Sequence, residues 1–357
     1  MARFGLIPGD GAGIEVVAEV EALLAALRQD GSPVEWQTFG YGADRYLATG
    51  EALPAGAMEE LAGFDALFAG AFGDPRVPDM AHAREILLGL RRGFDLYANL
   101  RPVRPLADWL SPLSACPGDK IDFIVVRENT EGAYVDAGGT WKRGTSEELA
   151  VQEAIATRKG VERVLAYAFH LASEHPSKRL HMADKHNALT HVGGLWHRTF
   201  EEVRRRFPEV ESRHIFVDAL CHDLVRDPSR FGVIVTSNLF GDLISDLGAA
   251  LAGGLGLAPS ANLNPETRRG LFEPVHGSAQ DIAGKGIANP MAAFLSAGMM
   301  LEFLGFGEAG RRLRAAVTTC LEEGSVTPDL GGSSTTAEVG RVIRNAVALG
   351  AAVVEER

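Results

Sequence analysis

Short runs of strand character alternate with helix-patterned segments along most of this chain, and that rhythm narrows its fold more than any single residue does. "RFGLIP", "VEWQTF" and "ALFAGAF" are separated by helical patterns at about 12–29, 54–62 and 80–92, the spacing of βαβ units. The alternation continues through "IDFIVVREN", a helix over about 158–174, "KRLHMAD", a helix over 188–206, "SRHIFVD", "GVIVTSN" and a helix from residue 238. Beyond the turn-rich "LAPSANLNPETRRGLFEPVHGSAQDIAGKGIANP" the chain reads as mainly helical. The expected fold class is α/β. With 41 glycines and 7% aromatic residues, many tight βα turns are favoured over an aromatic-rich sandwich. The 357 residues leave room for two domains, and since no linker or repeat separates them, they are expected to share strands or interleave.

The formal charge of −12 argues against general affinity for nucleic acid or anionic membrane, while leaving room for a local cationic pocket. "MARFGLIPGDG" has no apolar core of signal-peptide length, and the longest apolar run, "MAAFLSAGMML", is shorter than the ~18–20 residues of a membrane span. A soluble, cytoplasmic protein is the expectation. Cys116, Cys221 and Cys320 are far apart, odd in number and without metal-ligand spacing, so they are read as reduced and structural.

A dinucleotide-binding glycine loop is suggested by "GDGAGIE" after the first strand, but the match fails. Gly9, Gly11 and Gly13 are spaced Gly-x-Gly-x-Gly and the sixth position is Ile14. The stronger signal is "NLFGDLISDLGAALA", an apolar stretch carrying Asp242 and Asp246 four positions apart. On a helix such residues share a face, and at about 6 Å with an effective dielectric near 20 their repulsion is roughly 3 kcal/mol unless a cation or proton is shared. Asp218, read as ending the strand "SRHIFVD", stands where open α/β sheets place ligands. Three carboxylates without thiol or imidazole suit Mg²⁺ or Mn²⁺ better than zinc. The plain alternative puts Asp242 in a first helical turn, favoured by the dipole, with Asp246 exposed. Basic residues cluster in "LRRGFDLYANLRPVRP" and "VVRENTEGAY", so Arg91, Arg101 and Arg127 either bind a di- or tricarboxylate through their planar forks or lie on a solvated face.

Five segments, "NLRPVRP", "VVRENTEGAY", "ADKHNAL", "NLFGDLISDL" and "EPVHGSAQDIAGKGIANP", occur in the order and spacing of the metal-dependent β-decarboxylating dehydrogenases. That family includes isopropylmalate, isocitrate, homoisocitrate and tartrate/D-malate dehydrogenases, and the chain resembles it from "IPGDGAG" to about residue 340. The resemblance implies an isopropylmalate-dehydrogenase-like fold, not a Rossmann fold, with two α/β domains around a central cleft. Residues 1–102 and 256–357 would form the large cofactor-binding domain, and 103–255 the smaller central domain with the dimer interface. It implies a homodimer with shared active sites, Lys185 and Asp218 reaching the site from the partner and Asp242, Asp246 and the three arginines belonging to the other chain. A shared Mg²⁺ or Mn²⁺ then explains the aspartate pair. In the chemistry implied for a 2-hydroxy-3-carboxy acid, Lys185 removes the hydroxyl proton as hydride leaves for the nicotinamide, and the β-carboxylate is lost as CO₂. Tyr134 then supplies a proton at C3.

For the cofactor, the resemblance implies that His276, with Gly277, Ser278 and Ala279, cradles adenine, that Asn289 contacts the ring, and that Asp281 faces the adenosine ribose. A carboxylate at Asp281 accepts ribose hydroxyls and repels a 2′-phosphate, which favours NAD over NADP. For the substrate, Leu87 and Leu88 in "AREILLGLR" present an apolar wall where isocitrate-acting relatives carry Ser and Asn, and Leu88 stands where homoisocitrate enzymes carry an extra arginine. An isopropyl group filling that wall gains a few kcal/mol at ~25 cal/mol per Å², which makes 3-isopropylmalate, and so leucine biosynthesis, the first expectation. D-malate or tartrate is the alternative, because "NTEG" and Ala188 depart from the usual isopropylmalate pattern. A catalytically silent regulatory paralogue is the remote one, disfavoured because the tyrosine, lysine and metal aspartates are all present.

Overall fold

The structure, a computed structural model, describes residues 2–113 and 120–355, with side chains to residue 348, so Cys116 lies outside the described residues. In chain order the elements begin β1 (Ala2–Gly9), α1 (Ala12–Gln29), β2 (Val34–Thr38), α2 (Ala43–Thr49), α3 (Ala57–Leu61), β3 (Ala66–Ala71), α4 (Ala81–Gly93) and β4 (Ala98–Val103). Next come β5 (Phe123–Glu128), β6 (Gly138–Trp141), β7 (Leu149–Gln152), α5 (Arg158–Glu174), β8 (Arg179–Asp184), α6 (Val192–Val203), β9 (Glu211–Phe216), α7 (Val217–Arg226), β10 (Val233–Thr236) and α8 (Asn238–Leu251). The chain closes with β11 (Pro259–Asn264), β12 (Arg269–Pro274), α9 (Met291–Phe303), α10 (Gly307–Glu322) and α11 (Thr336–Glu355).

Two compact units result. The first comprises Met1–Leu96, Pro105–Pro112 and Ala252–Arg357, and the second Tyr97–Arg104 and Leu113–Leu251. The division falls at 96/97 and 251/252 where the sequence placed it at 102 and 255, because β4 pairs antiparallel with β5 and is held by that ladder in the central unit. In the first unit β2, β1, β3 and β12 run parallel in that spatial order and β11 pairs antiparallel with β12. Its core is apolar on both sheet faces: β3 is buried at every position, and α9 is buried on nearly all sides, as expected of parallel sheets sandwiched by helices. In the central unit β9, β8, β10 and β5 run parallel in order, with β4 antiparallel at the β5 edge.

Five strands lie where the sequence reading placed none, and a sixth ends earlier than expected. β11 and β12 lie in the stretch read as turns, and β4 lies in a segment read only as a basic cluster. β6 and β7 form a separate antiparallel ribbon that was not foreseen. β9 stops at Phe216, so Asp218 does not end that strand; it sits in the first turn of α7. None of the described helices is long and apolar enough to cross a membrane.

Candidate active site

In the central unit the charge cluster is built on three elements. α8 forms where the periodicity placed a helix, and Gly241 lets it lie close on β5: a Cβ there would stand 2.6 Å from the Arg127 side chain. That approach covers Arg127, which is only 2% exposed. Its fork is occupied on every side, with Nε and Nη2 donating to Asn238 Oδ1 at 3.0 and 2.7 Å and Nη1 to Asp242 Oδ1 at 2.5 Å. From β4, the buried Arg101 donates through Nη1 to Ser245 Oγ at 2.7 Å and to Asp242 Oδ1 at 3.3 Å, with Asp246 Oδ1 at 3.6 Å. Tyr134, in a short turn after β5, donates its hydroxyl to Asp242 Oδ2 at 3.1 Å, and the Arg127 guanidinium lies 5.3 Å from its ring centre.

Five of the sequence-predicted residues therefore converge: Arg101, Arg127, Tyr134, Asp242 and Asp246. Two cations and a phenol face Asp242, whose side chain is 34% exposed. Partial burial pushes the Asp246 carboxyl above its ordinary range, and the negative charge of Asp242 adds to the rise while Arg101 and Arg127 oppose it. Asn238 and Ser245, one turn before and after Asp242 on one helix, were missed by the sequence reading; their spacing from Asp242 was the available signal.

Lys185 and Asp218 form a second group in the same unit. Lys185 follows β8 directly, and Nζ donates to Asp218 Oδ1 at 2.7 Å while lying 5.5 Å from the centre of the Phe216 ring. The ammonium hydrogen bond holds the exposed Asp218 carboxyl below its usual range. Beside Lys185 lies a recess walled by Ile155, Leu189, Val192, Trp196, Leu239 and Phe240. At its polar side is Glu128, whose carboxylate accepts from Thr130 N and Oγ1 and from Glu131 N at 2.8–2.9 Å. Burial raises Glu128 despite those bonds.

The remaining predicted residues belong to the first unit. Arg91, on α4, is buried and donates through Nη2 to Glu273 Oε1 at 2.8 Å; Glu273 also accepts from Asn262 Nδ2 at 2.8 Å. Glu273 was not foreseen. Leu87 and Leu88 are half-buried on the same helix.

The segment after β12 wraps a loop at the end of β1: Ala12 N donates to Ser278 O at 2.8 Å, and Gln280 Nε2 to Gly73 O at 2.7 Å. Gly11, at φ +55°, makes this approach possible, since a Cβ there would lie 2.2 Å from Ser278 O. Asn289 is fixed by donation to Asp329 Oδ2 at 3.0 Å and acceptance from Met291 N at 3.0 Å. Asp281 and Gly277 are exposed. His276 Nδ1 lies 3.0 Å from Gly277 O, whereas Nε2 is buried with no hydrogen-bond partner, and burial lowers the ring's pKa. A neutral imidazole with an orphaned nitrogen fits a heteroaromatic ligand. The oxygen-only donors Asp218, Asp242 and Asp246 fit a hard dication.

Comparison with known proteins agrees along nearly the whole chain. Residues 3–343 match the family model described as isocitrate/isopropylmalate dehydrogenase. The chain is 46% identical to a 3-isopropylmalate dehydrogenase of Thermobifida fusca over 97% of this chain and 98% of that one. It is 44% identical to a probable tartrate dehydrogenase/decarboxylase of Agrobacterium vitis, again over 97% and 98%. Among solved structures, isocitrate dehydrogenase from Methylococcus capsulatus superposes with a TM-score of 0.87 at 37% identity, covering 97% of this chain and 99% of that one.

Proposed function

This chain belongs to the isocitrate/isopropylmalate dehydrogenase family, and from that premise we propose that it catalyses NAD-dependent, Mg²⁺- or Mn²⁺-requiring oxidative decarboxylation of 3-isopropylmalate as a homodimer with shared sites. The observation that carries the reading is the convergence of Arg101, Arg127 and Tyr134 on Asp242, with Asp246 one turn further along α8. Asp242, Asp246 and the partner's copy of position 218 would hold the dication, which would supply Lewis acidity toward the 2-hydroxy acid, with NAD as the hydride acceptor. Arg101 and Arg127 orient the carboxylates, their forks held rigid by Asn238 and Ser245. Lys185 Nζ takes the hydroxyl proton from across the dimer, and the Tyr134 hydroxyl protonates C3 after CO₂ departs. Arg91, with Leu87 and Leu88 on the same helix, meets the rest of the substrate. His276, Gly277, Ser278, Ala279 and Asn289 hold adenine, and Asp281 selects the ribose without a 2′-phosphate.

The dimer is supported by what α8 exposes. Leu239 and Leu243 are 41% and 59% exposed and share a face with Asp242 and Asp246, so one surface mixes apolar groups with the reacting charges. The β6–β7 ribbon adds Trp141, Leu149 and Val151, also exposed. A second copy covers both and brings Lys185 to the cluster. Mixing inactive Lys185→Ala chains with inactive Tyr134→Phe chains should restore activity in heterodimers; verified heterodimers without activity exclude the shared site.

Substrate identity is tested by kcat/KM for 3-isopropylmalate, D-malate, tartrate and isocitrate with Mn²⁺ and NAD. A preference for 3-isopropylmalate over D-malate above tenfold is expected, since three carbons at ~0.8 kcal/mol per CH₂ contribute roughly 2 kcal/mol after partial burial. D-malate or tartrate winning makes the alternative the function. That second reading rests on the 44% identical relative.

A further inference from the structure

Three histidines stand behind the lysine, and the proposed reaction does not use them. His186 follows Lys185, His197 is on α6, and His214 is on β9. Their ring centres lie 4.6 Å (His186–His197), 4.8 Å (His186–His214) and 5.2 Å (His197–His214) apart. Each ring offers a nitrogen, and these nitrogens all lie within 4.8 Å of one another. We propose that His186, His197 and His214 form a second metal site, for a borderline transition-metal dication of the Zn²⁺ class, distinct from the carboxylate site.

Two observations support it besides proximity. Asp184, 4% exposed, accepts from His186 Nδ1 at 3.0 Å and from His214 Nε2 at 2.7 Å. A carboxylate only accepts, so each neutral ring is held in the tautomer that leaves its other nitrogen with a lone pair. This carboxylate–histidine arrangement orients imidazoles for metals. On the third ring, His197 Nδ1 is buried without a hydrogen-bond partner.

Imidazole donors select a different ion from the aspartates. Nitrogen suits Zn²⁺, Co²⁺ or Ni²⁺, whereas Mg²⁺ and Mn²⁺ prefer oxygen, so excess Mg²⁺ leaves the histidine site open. A tetrahedral Zn²⁺ at about 2.0–2.1 Å from each nitrogen needs the three rings to draw together by about an ångström. The Phe216 ring packs 5.1 Å from His186 and 4.9 Å from His214, and Lys185 Nζ lies 5.5 Å from it. An ion here therefore fastens the segment that carries the lysine.

The test uses metal-stripped, full-length protein in saturating Mg²⁺, titrated with Co²⁺ and then Zn²⁺. The expected result is an intense visible d–d band of four-coordinate Co²⁺, displaced by one Zn²⁺ per chain. His197→Gln and His186→Gln should each weaken Zn²⁺ binding at least tenfold, with His197→Gln retaining Mg²⁺-dependent turnover as a check on its fold. Asp242→Asn should leave Zn²⁺ binding intact. A weak, six-coordinate Co²⁺ spectrum, or Zn²⁺ affinity lost in Asp242→Asn and kept in His197→Gln, overturns the site. Should His197→Gln fail to fold, the Co²⁺ spectrum of the unaltered protein decides alone.

Discussion

The two units share a three-strand wiring and use it differently. β1, β2 and β3 in one, and β8, β9 and β10 in the other, lie side by side in the order second–first–third; a fourth parallel strand, β12 or β5, joins beside the third, although β12 follows its three in the chain and β5 precedes them, and each array ends on an antiparallel strand, β11 or β4. In the first unit the strand ends present backbone. Buried Asp10, just past β1, spends its carboxylate on Ala43 N and Gly73 N at 2.7 and 2.8 Å and on His82 Nε2 at 2.9 Å. In the central unit the corresponding ends present Glu128, Lys185, Asp218 and Asn238. A shared strand order thus supplies a backbone cradle in one place and a cluster of charged side chains in the other, and the residues at the strand ends decide which.

Substitutions separate the two roles, beginning with the largest effect. Lys185→Ala should lower kcat by about 10²–10⁴-fold, the usual contribution of a positioned acid–base group. It should leave the urea midpoint nearly unchanged, because the exposed Lys185–Asp218 pair contributes little stability. Unchanged kcat removes Lys185 from the reaction. Arg127→Leu should instead destabilise the central unit by about 3 kcal/mol, since Asn238 and Asp242 lose a buried partner; urea unfolding checks it.

In the first unit Gly11→Ala should cost about 2 kcal/mol, from positive φ and the collision with Ser278 O. KM for NAD should rise more than KM for the hydroxy acid, and an equal rise would break the assignment of this loop to the cofactor side. The smallest effect on stability concerns Asp246, whose folded pKa is raised. The folded protein then binds the proton more tightly than the unfolded chain, so this group's contribution to stability falls as pH rises from the ordinary carboxylate value through the raised one. Asp246→Asn should therefore abolish turnover yet slightly raise the neutral-pH melting temperature of the metal-free protein, and a lower Tm would contradict the burial argument.

The central-unit charge cluster was legible because it resides in side chains at helical spacing: Asp242 and Asp246 share a face of α8 as expected, and Arg127 and Tyr134 sit within six residues of the β5 end. β11 was not legible. Ser260, Asn262 and Asn264 look like loop residues but are buried in a strand, and Asn262 is satisfied by Leu271 O and Glu273 Oε1, partners that no local pattern announces. The same limit hid the Arg91–Glu273 pair, 182 positions apart. In "NTEG", the stretch that clouded substrate choice, Thr130 donates to Glu128 and Glu131 accepts from Thr157 N at 2.8 Å, so these letters serve local structure.

The arginine bonds to Asp242 have a consequence for binding order. Two guanidinium groups donate to one oxygen, Oδ1, of Asp242, the carboxylate that the proposed function gives to a dication. On that proposal, a dicarboxylate engaging Arg101 and Arg127 would draw them off and release Asp242 to the cation, and a cation on Asp242 would free the arginines for the acid. The two ligands exchange partners within one set of charges, so by reciprocity each raises the other's affinity by the same factor.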